Sequence, residues 1–353
     1  MAKILNNLIL EEKDVQSLQE LIQLSVLQDE DYRKYTRIVA ANDGDPVGYI
    51  GDMNDVGKAG AGCKPTYENI SIANGKEKWE LGDWVIPLEL CYKDVEGTVA
   101  EYTLKKGTMI GDLTGTEFLN YIVRPALERQ IKRMYWRFGW FGNKDAQNIT
   151  DGGVVTDGVD VTKLTTTDGF FKRIFAQGTS NPTPVTAIAA NNESTFAGAK
   201  SKILGAGVAT TLVDNVLMDA DARISALPDA TLMMTKAMAD ALAWDIKKTY
   251  HTQLQWETVF EGFDVAEYDG VKVARIGIWD QLIRAYESTG TKLNKPYRIV
   301  YGSPQNFLTG IPQGNLTTDL DIWFDRKERT TNIYATGKIG THILEKDMFH
   351  AAY

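Results

Sequence analysis

The stretch Trp79-Glu80-Leu81-Gly82-Asp83-Trp84-Val85-Ile86-Pro87-Leu88-Glu89-Leu90-Cys91-Tyr92 decides how the rest of the chain is read. Within it Trp84, Ile86, Leu88, Leu90 and Tyr92 fall in one phase of a two-residue repeat, which predicts a strand with one apolar face. Pro87 lies in the other phase and has no N–H to give to a ladder, so this strand belongs at a sheet edge or crosses a bulge. On its N-terminal side, Ala73-Asn74-Gly75-Lys76 carries an Asn-Gly turn signal and predicts a hairpin between 67–72 and 77–92.

Further upstream the composition changes sharply. Residues 42–64, NDGDPVGYIGDMNDVGKAGAGCK, hold six glycines and one proline with few large apolar side chains, and read as a long exposed loop. Loops of that length inside compact domains usually have a function. An amphipathic helix over 14–28 precedes it, with Val15, Leu18, Leu21, Ile22 and Leu24 as its apolar stripe.

Downstream, helical spacing from a Thr116 cap towards Gly139 predicts a long helix of roughly 35 Å. Pro125 should kink it, and Gly142-Asn143 should stop it after Trp136, Phe138, Trp140 and Phe141. Residues 151–200 are rich in Thr, Gly and Asn, with short strands expected at 154–155 and 170–175. A helix is expected over 210–227, ended by Pro228, then a strand over 230–234. Thr235 would cap a helix reaching Tyr250. Asp269-Gly270 predicts a hairpin over 263–276, 279–288 a helix and 297–301 a strand. Ile333, Ala335, Ile339, Thr341 and Ile343 alternate in a C-terminal strand region. Strands and helices thus come in separate blocks, which points to an α+β fold of two or more lobes for 353 residues.

Composition narrows the function. The chain has 43% hydrophobic and 24% charged residues, ordinary for a folded soluble protein, and a net charge of -9 that disfavours a general grip on nucleic acid. Two cysteines, Cys63 and Cys91, are too few for a disulfide framework. The N-terminus carries no secretion signal, and no apolar run approaches a membrane span.

Enzyme motifs fail one by one. Gly51 to Lys58 has the wrong glycine spacing for a phosphate loop, and Ala59 stands where Ser or Thr should hold magnesium. Asp52, Asn54 and Gly57 sit at calcium-loop offsets, but Cys63 occupies the position of the bidentate Glu. His251, His342 and His350 form no zinc spacing, and Asp214, Asp219 and Asp221 share the polar side of an amphipathic helix. Eight tryptophans and 15 tyrosines fit packing and subunit contacts better than base stacking in an acidic chain. No catalytic, cofactor-binding or metal-ligating set emerges.

The order of these segments resembles the Hong Kong 97 family of tailed-bacteriophage major capsid proteins. Lys64-Pro65 through Trp79 to Pro87, and on to Phe118-Leu119-Asn120-Tyr121-Ile122, is similar to that family's extended hairpin (the E-loop), peripheral strand and spine helix, with Trp140-Phe141-Gly142-Asn143 at the turn closing the helix. Asp168 to Ile174 is similar to the strand leaving the peripheral domain. Tyr268 to Val273 resembles the axial-domain hairpin, and Gly302 to Gly310 the return to the periphery.

The resemblance implies an N-arm over 1–44, an E-loop over 45–84, a peripheral domain over 85–175 and 315–353, and an axial domain over 176–314. It implies a non-enzymatic subunit of hexamers and pentamers in an icosahedral phage head, assembled in the bacterial cytoplasm around double-stranded DNA without sequence-specific binding. Portal, scaffold and decoration proteins would be partners, with no membrane. Because the sequence starts at Met1 close to the N-arm, a separate scaffold protein is expected. Lys58, Lys64, Tyr67 and Trp79 are the candidate inter-subunit contacts. Some relatives crosslink an E-loop lysine to a neighbour's asparagine; Lys58 and Lys64 occupy that region, and their plain reading is as solvated loop lysines. The alternatives are an encapsulin-type compartment shell and a soluble enzyme without a recognised motif.

Overall fold

The computed structural model describes residues 30–53, 72–91, 124–249, 251–260, 263–312, 319–325 and 330–353. Helix α1 (Glu30–Tyr35) leads into β1 (Arg37–Ala40), followed by β2 (Pro46–Met53), β3 (Ile72–Lys78) and β4 (Gly82–Cys91). The long helix α2 (Arg124–Phe141) and α3 (Phe170–Ser180) come next. The middle of the chain holds β5 (Val185–Thr186), α4 (Phe196–Ile203), α5 (Val208–Asp219), α6 (Ala222–Ser225), β6 (Thr231–Thr235) and α7 (Lys236–Thr249). Then follow β7 (Glu257–Phe260), β8 (Phe263–Tyr268), β9 (Val271–Ile276), α8 (Gly277–Tyr286), β10 (Ile299–Gly302) and β11 (Phe307–Ile311). The last strands are β12 (Asp319–Asp325), β13 (Thr330–Ile343) and β14 (Phe349–Ala352). The α+β expectation holds.

Strand β13 organises the first sheet. Its C-terminal end pairs antiparallel with β11, which pairs in parallel with β1, while its N-terminal part pairs with both β12 and β4. Among the described strands β4 pairs with β13 alone, with Pro87 opposite Tyr334, so the proline sits on an edge as its missing N–H requires. The alternation in β13 holds over 332–339, where Ile333, Ala335 and Ile339 are buried, while from Ile339 to Ile343 both phases are buried. In β4 the apolar phase leaves the core along the strand, from Trp84 at 2% exposure to Leu88 at 41%.

The second sheet has seven strands in the order β5-β14-β10-β6-β9-β8-β7. Its β8–β9 hairpin turns at Asp269 and Gly270, both with positive φ (48° and 74°), the requirement of a tight two-residue turn. The two sheets exchange strands across the boundary expected at 314/315: β11 lies in the first sheet, and β14 pairs with β10 in the second. Alternation marks a strand but does not name its partner, so this exchange left no local trace.

Four local expectations are corrected. Residues 170–175 form the start of helix α3, because Phe170, Phe171 and Ile174 at helical spacing bury one face under Trp140 and Trp279. The helix expected over 210–227 breaks at Ala220, where ψ is 149°, and Asp221 caps α6 through the Arg223 N–H at 2.8 Å. Thr235 ends a strand; the first N–H groups of α7 are taken by the Asp280 carboxylate, with Ala237 N–H at 2.9 Å. Asn74-Gly75 is no turn either. It lies inside β3, opposite Ile50 and Tyr49 of β2, so the hairpin joins 46–53 to 72–78. A turn signal is local, and here a partner strand more than 20 residues away in sequence prevails over it. The N-terminal helix over 14–28 and the helix portion before Arg124 lie outside the described residues, and Pro125 falls in the first turn of α2.

Candidate assembly surface

The hairpin β2–β3 stands apart from both larger sheets. Its strands pair with each other and with no third strand among the described residues. Eight residues of β2 extend roughly 26 Å at about 3.3 Å per residue, and a two-stranded ribbon of that kind is marginally stable in water. Such a ribbon gains order by lying on another surface.

Its root, by contrast, is fixed. Asn42 N–H donates to the Asp45 carboxylate at 2.7 Å, Gly44 N–H to the Trp79 carbonyl at 2.9 Å, and Trp79 N–H to the Asp45 carbonyl at 2.9 Å. Leu81 N–H reaches the Asp43 carboxylate at 3.1 Å. Gly44, with φ of 83°, makes the turn that brings these groups together. Asn42-Asp43-Gly44-Asp45 is turn chemistry that sequence reasoning folded into an undivided loop.

Charge completes the clamp. Glu77 takes an ion pair from Lys346 at 2.7 Å, with His342 Nδ1 at 3.5 Å, and Glu80 pairs with Lys144 at 2.7 Å. The Lys346 hydrogen bond holds the Glu77 carboxyl below its usual value against the opposing effect of burial. Burial pushes His342 down to about 4, with Glu77 pulling the other way, so the imidazole is neutral at physiological pH.

Trp79 is 5% exposed, packed with Ala41, Val47 and Leu308 and tilted against His342 at 5.9 Å between ring centroids. Its indole is thus committed within its own chain and anchors the root of the hairpin. Lys58, Lys64 and Tyr67, the other three candidate contacts, lie outside the described residues.

One further cleft offers little chemistry. A cavity of about 730 Å³ between α6, β8 and β9 is lined by Gln253, Glu257, Glu267, Lys272 and Tyr301 among others, without a histidine or a paired acid and base. No cluster of His, Cys, Asp and Glu that could hold a metal occurs among the described residues. Asp214, of the acidic group on the middle helix, accepts a hydrogen bond from Tyr268 at 2.7 Å, and Asp221 pairs with Arg223 at 2.9 Å. Both serve structure. No described helix is long and apolar enough to cross a membrane.

No family model matches the sequence, and no curated protein does. The fold, however, is shared. A chain of the satellite phage P4 procapsid superposes with a TM-score of 0.51 at 12% identity, covering 96% of this chain and 98% of that one. The chain has the fold of a phage capsid subunit. A Mycobacterium phage Ogopogo chain gives the same TM-score of 0.51 at 12% identity, over 91% of this chain and 90% of its own length. This capsid fold is consistent with the Hong Kong 97 type, with a two-stranded hairpin, a long helix and two large sheets. The holo-SrpI encapsulin of Synechococcus elongatus PCC 7942 is also similar, with a TM-score of 0.43 at 11% identity over 97% of this chain and 95% of that one.

Proposed function

We propose that this chain is a major capsid protein, a structural subunit that assembles with copies of itself into hexamers and pentamers of an icosahedral phage head around double-stranded DNA. End-to-end likeness to a procapsid chain, with no lobe left over on either side, is the observation that carries this reading. The ribbon β2–β3 supports it, because a hairpin with a fixed root and no third strand among the described residues suits contact with a second copy. In this reading residues 45–84 form the E-loop and α2 the spine helix. The five-stranded sheet belongs to the peripheral lobe and the seven-stranded sheet to the axial lobe. Its partners in this reading are portal and scaffold proteins during assembly, with decoration proteins as a further class.

The reading predicts what removal of the hairpin tip does. Deleting 50–66 leaves a folded, soluble subunit that forms no closed particle in electron micrographs. Normal shells from that deletion would overturn the assignment. A compartment shell of the encapsulin type would also assemble, and is separated from a phage head by packaged protein cargo in place of DNA.

A further inference from the structure

In a chain of net charge -9, residues 30–37 and 124–141 hold eight Lys and Arg against three Asp and Glu. The two segments are neighbours in space: α1 packs on α2 through Tyr32 edge-on to Trp136 at 5.3 Å and Tyr35 against Trp136 at 6.0 Å. On α2, Arg129, Arg133 and Arg137 recur every four residues and therefore share one face, with Lys132 beside them. Arg129 is exposed and Arg133 and Arg137 are half-buried, while Arg33 and Arg37 on the α1–β1 segment are exposed.

The row is held in place. The Arg137 guanidinium donates to the Tyr286 hydroxyl at 3.0 Å and lies 5.0 Å from the Phe138 ring centroid. The Nε groups of Arg133 and Arg137 are buried and meet no acceptor among the described residues, so Nε takes no part in an ion pair there. Three guanidinium groups at about 6 Å steps span roughly 12 Å, a length of duplex that presents about seven phosphate charges.

We infer that the α1–α2 face is a sequence-independent contact for the phosphodiester backbone of double-stranded DNA. Arginine forks fit phosphate oxygens in pairs and read no base. The acidic remainder of the chain keeps the contact weak and sensitive to salt, as suits a wall that touches DNA without gripping it. The inference rests on the capsid reading only for why DNA would meet this face.

The test is fluorescence anisotropy of a labelled 24-base-pair duplex with the full chain across a salt series, with electron microscopy of the same preparations. Wild type should bind at 50 mM salt and release by a few hundred millimolar. Arg129→Gln with Arg133→Gln should weaken binding about tenfold or more and lower the log–log salt slope by about two. Lys163→Gln with Lys272→Gln, away from this face, should change little. Absence of binding by wild type, or an equal loss in both double variants, would overturn the inference. Polyglutamate bound as tightly as DNA would reassign the row to an acidic protein, and loss of assembly in the arginine variant would reassign it to a contact between copies. DNA binding through the row by a chain that never assembles would leave this inference standing and the capsid reading refuted.

Discussion

The indole of Trp79 occupies the space that a side chain at residue 310 would need: a β-carbon on Gly310 would fall 2.6 Å from Trp79 Cζ3 and 2.8 Å from Cε3. This contact joins the root of the hairpin to β11, the strand that connects β1 to β13. The root of the hairpin therefore meets the first sheet at a packed joint.

Gly310→Ala should accordingly destabilise the fold by about 1–3 kcal/mol through overpacking. Trp79→Ala should cost about 3–5 kcal/mol as a large buried aromatic. In the Trp79→Ala background the glycine substitution should cost far less. A double-mutant cycle from urea unfolding would measure that coupling; additive effects would contradict the joint.

A second glycine inverts a general rule. Exposed helical Gly→Ala usually stabilises by about 1 kcal/mol, yet at Gly139 a β-carbon would fall 2.0 Å from the Tyr32 hydroxyl. That hydroxyl is hydrogen-bonded to Thr309 Oγ1 at 2.8 Å, which ties α1 to β11 across the end of α2. Gly139→Ala should therefore destabilise, and by more than Tyr32→Phe, whose lost hydrogen bond is worth about 1 kcal/mol. Chemical unfolding midpoints of the two variants decide the order.

Asp245 acts as a helix cap from a distance. Its buried carboxylate accepts from Gly207 N–H at 2.7 Å, Thr210 N–H at 3.0 Å, Thr210 Oγ1 at 2.8 Å and Thr249 Oγ1 at 3.2 Å, closing the start of α5. Burial pushes its pKa up, but those hydrogen bonds together outweigh it and the carboxyl titrates below its ordinary value. A depressed carboxylate contributes stability above the unfolded value of about 3.9 and loses it as pH falls through the folded value. Asp245→Ala should cost about 3 kcal/mol at pH 7. The loss should shrink below about pH 4, where the wild type loses the same contribution. Unfolding curves at several pH values would show this convergence.

His342 carries a pH dependence of the other kind. Its folded pKa of about 4 lies below the unfolded value, so the unfolded chain binds the proton more readily. Stability is then full above about pH 6.5 and falls, by at most about 3 kcal/mol, as pH drops towards 4. His342→Gln should remove that slope. A His342 resonance, assigned by its loss in His342→Gln, that titrates near 6.5 in the folded protein would contradict the burial argument.

Much of this architecture was legible because its signals were periodic. The alternation of β13, the Asp269-Gly270 turn and the edge position forced on β4 by Pro87 all follow from residues that act on their immediate surroundings. What could not be read depended on distant partners. Asn74-Gly75 was overruled by β2, residues 170–175 took helical form under two tryptophans, and the caps of α5 and α7 come from carboxylates 35 or more residues away. The candidate surface divides the same way. Its hairpin was visible as a glycine-rich excursion, whereas the inward placement of Trp79 depends on Leu308, Gly310 and His342, far along the chain.

The central claim is that this chain builds a shell from copies of itself, and electron microscopy of the purified full-length protein, with size-exclusion chromatography alongside, tests it most directly. Closed particles, or rings of five and six subunits, are the predicted result. A monomer or dimer that persists in the presence of scaffold and a crowding agent would contradict it.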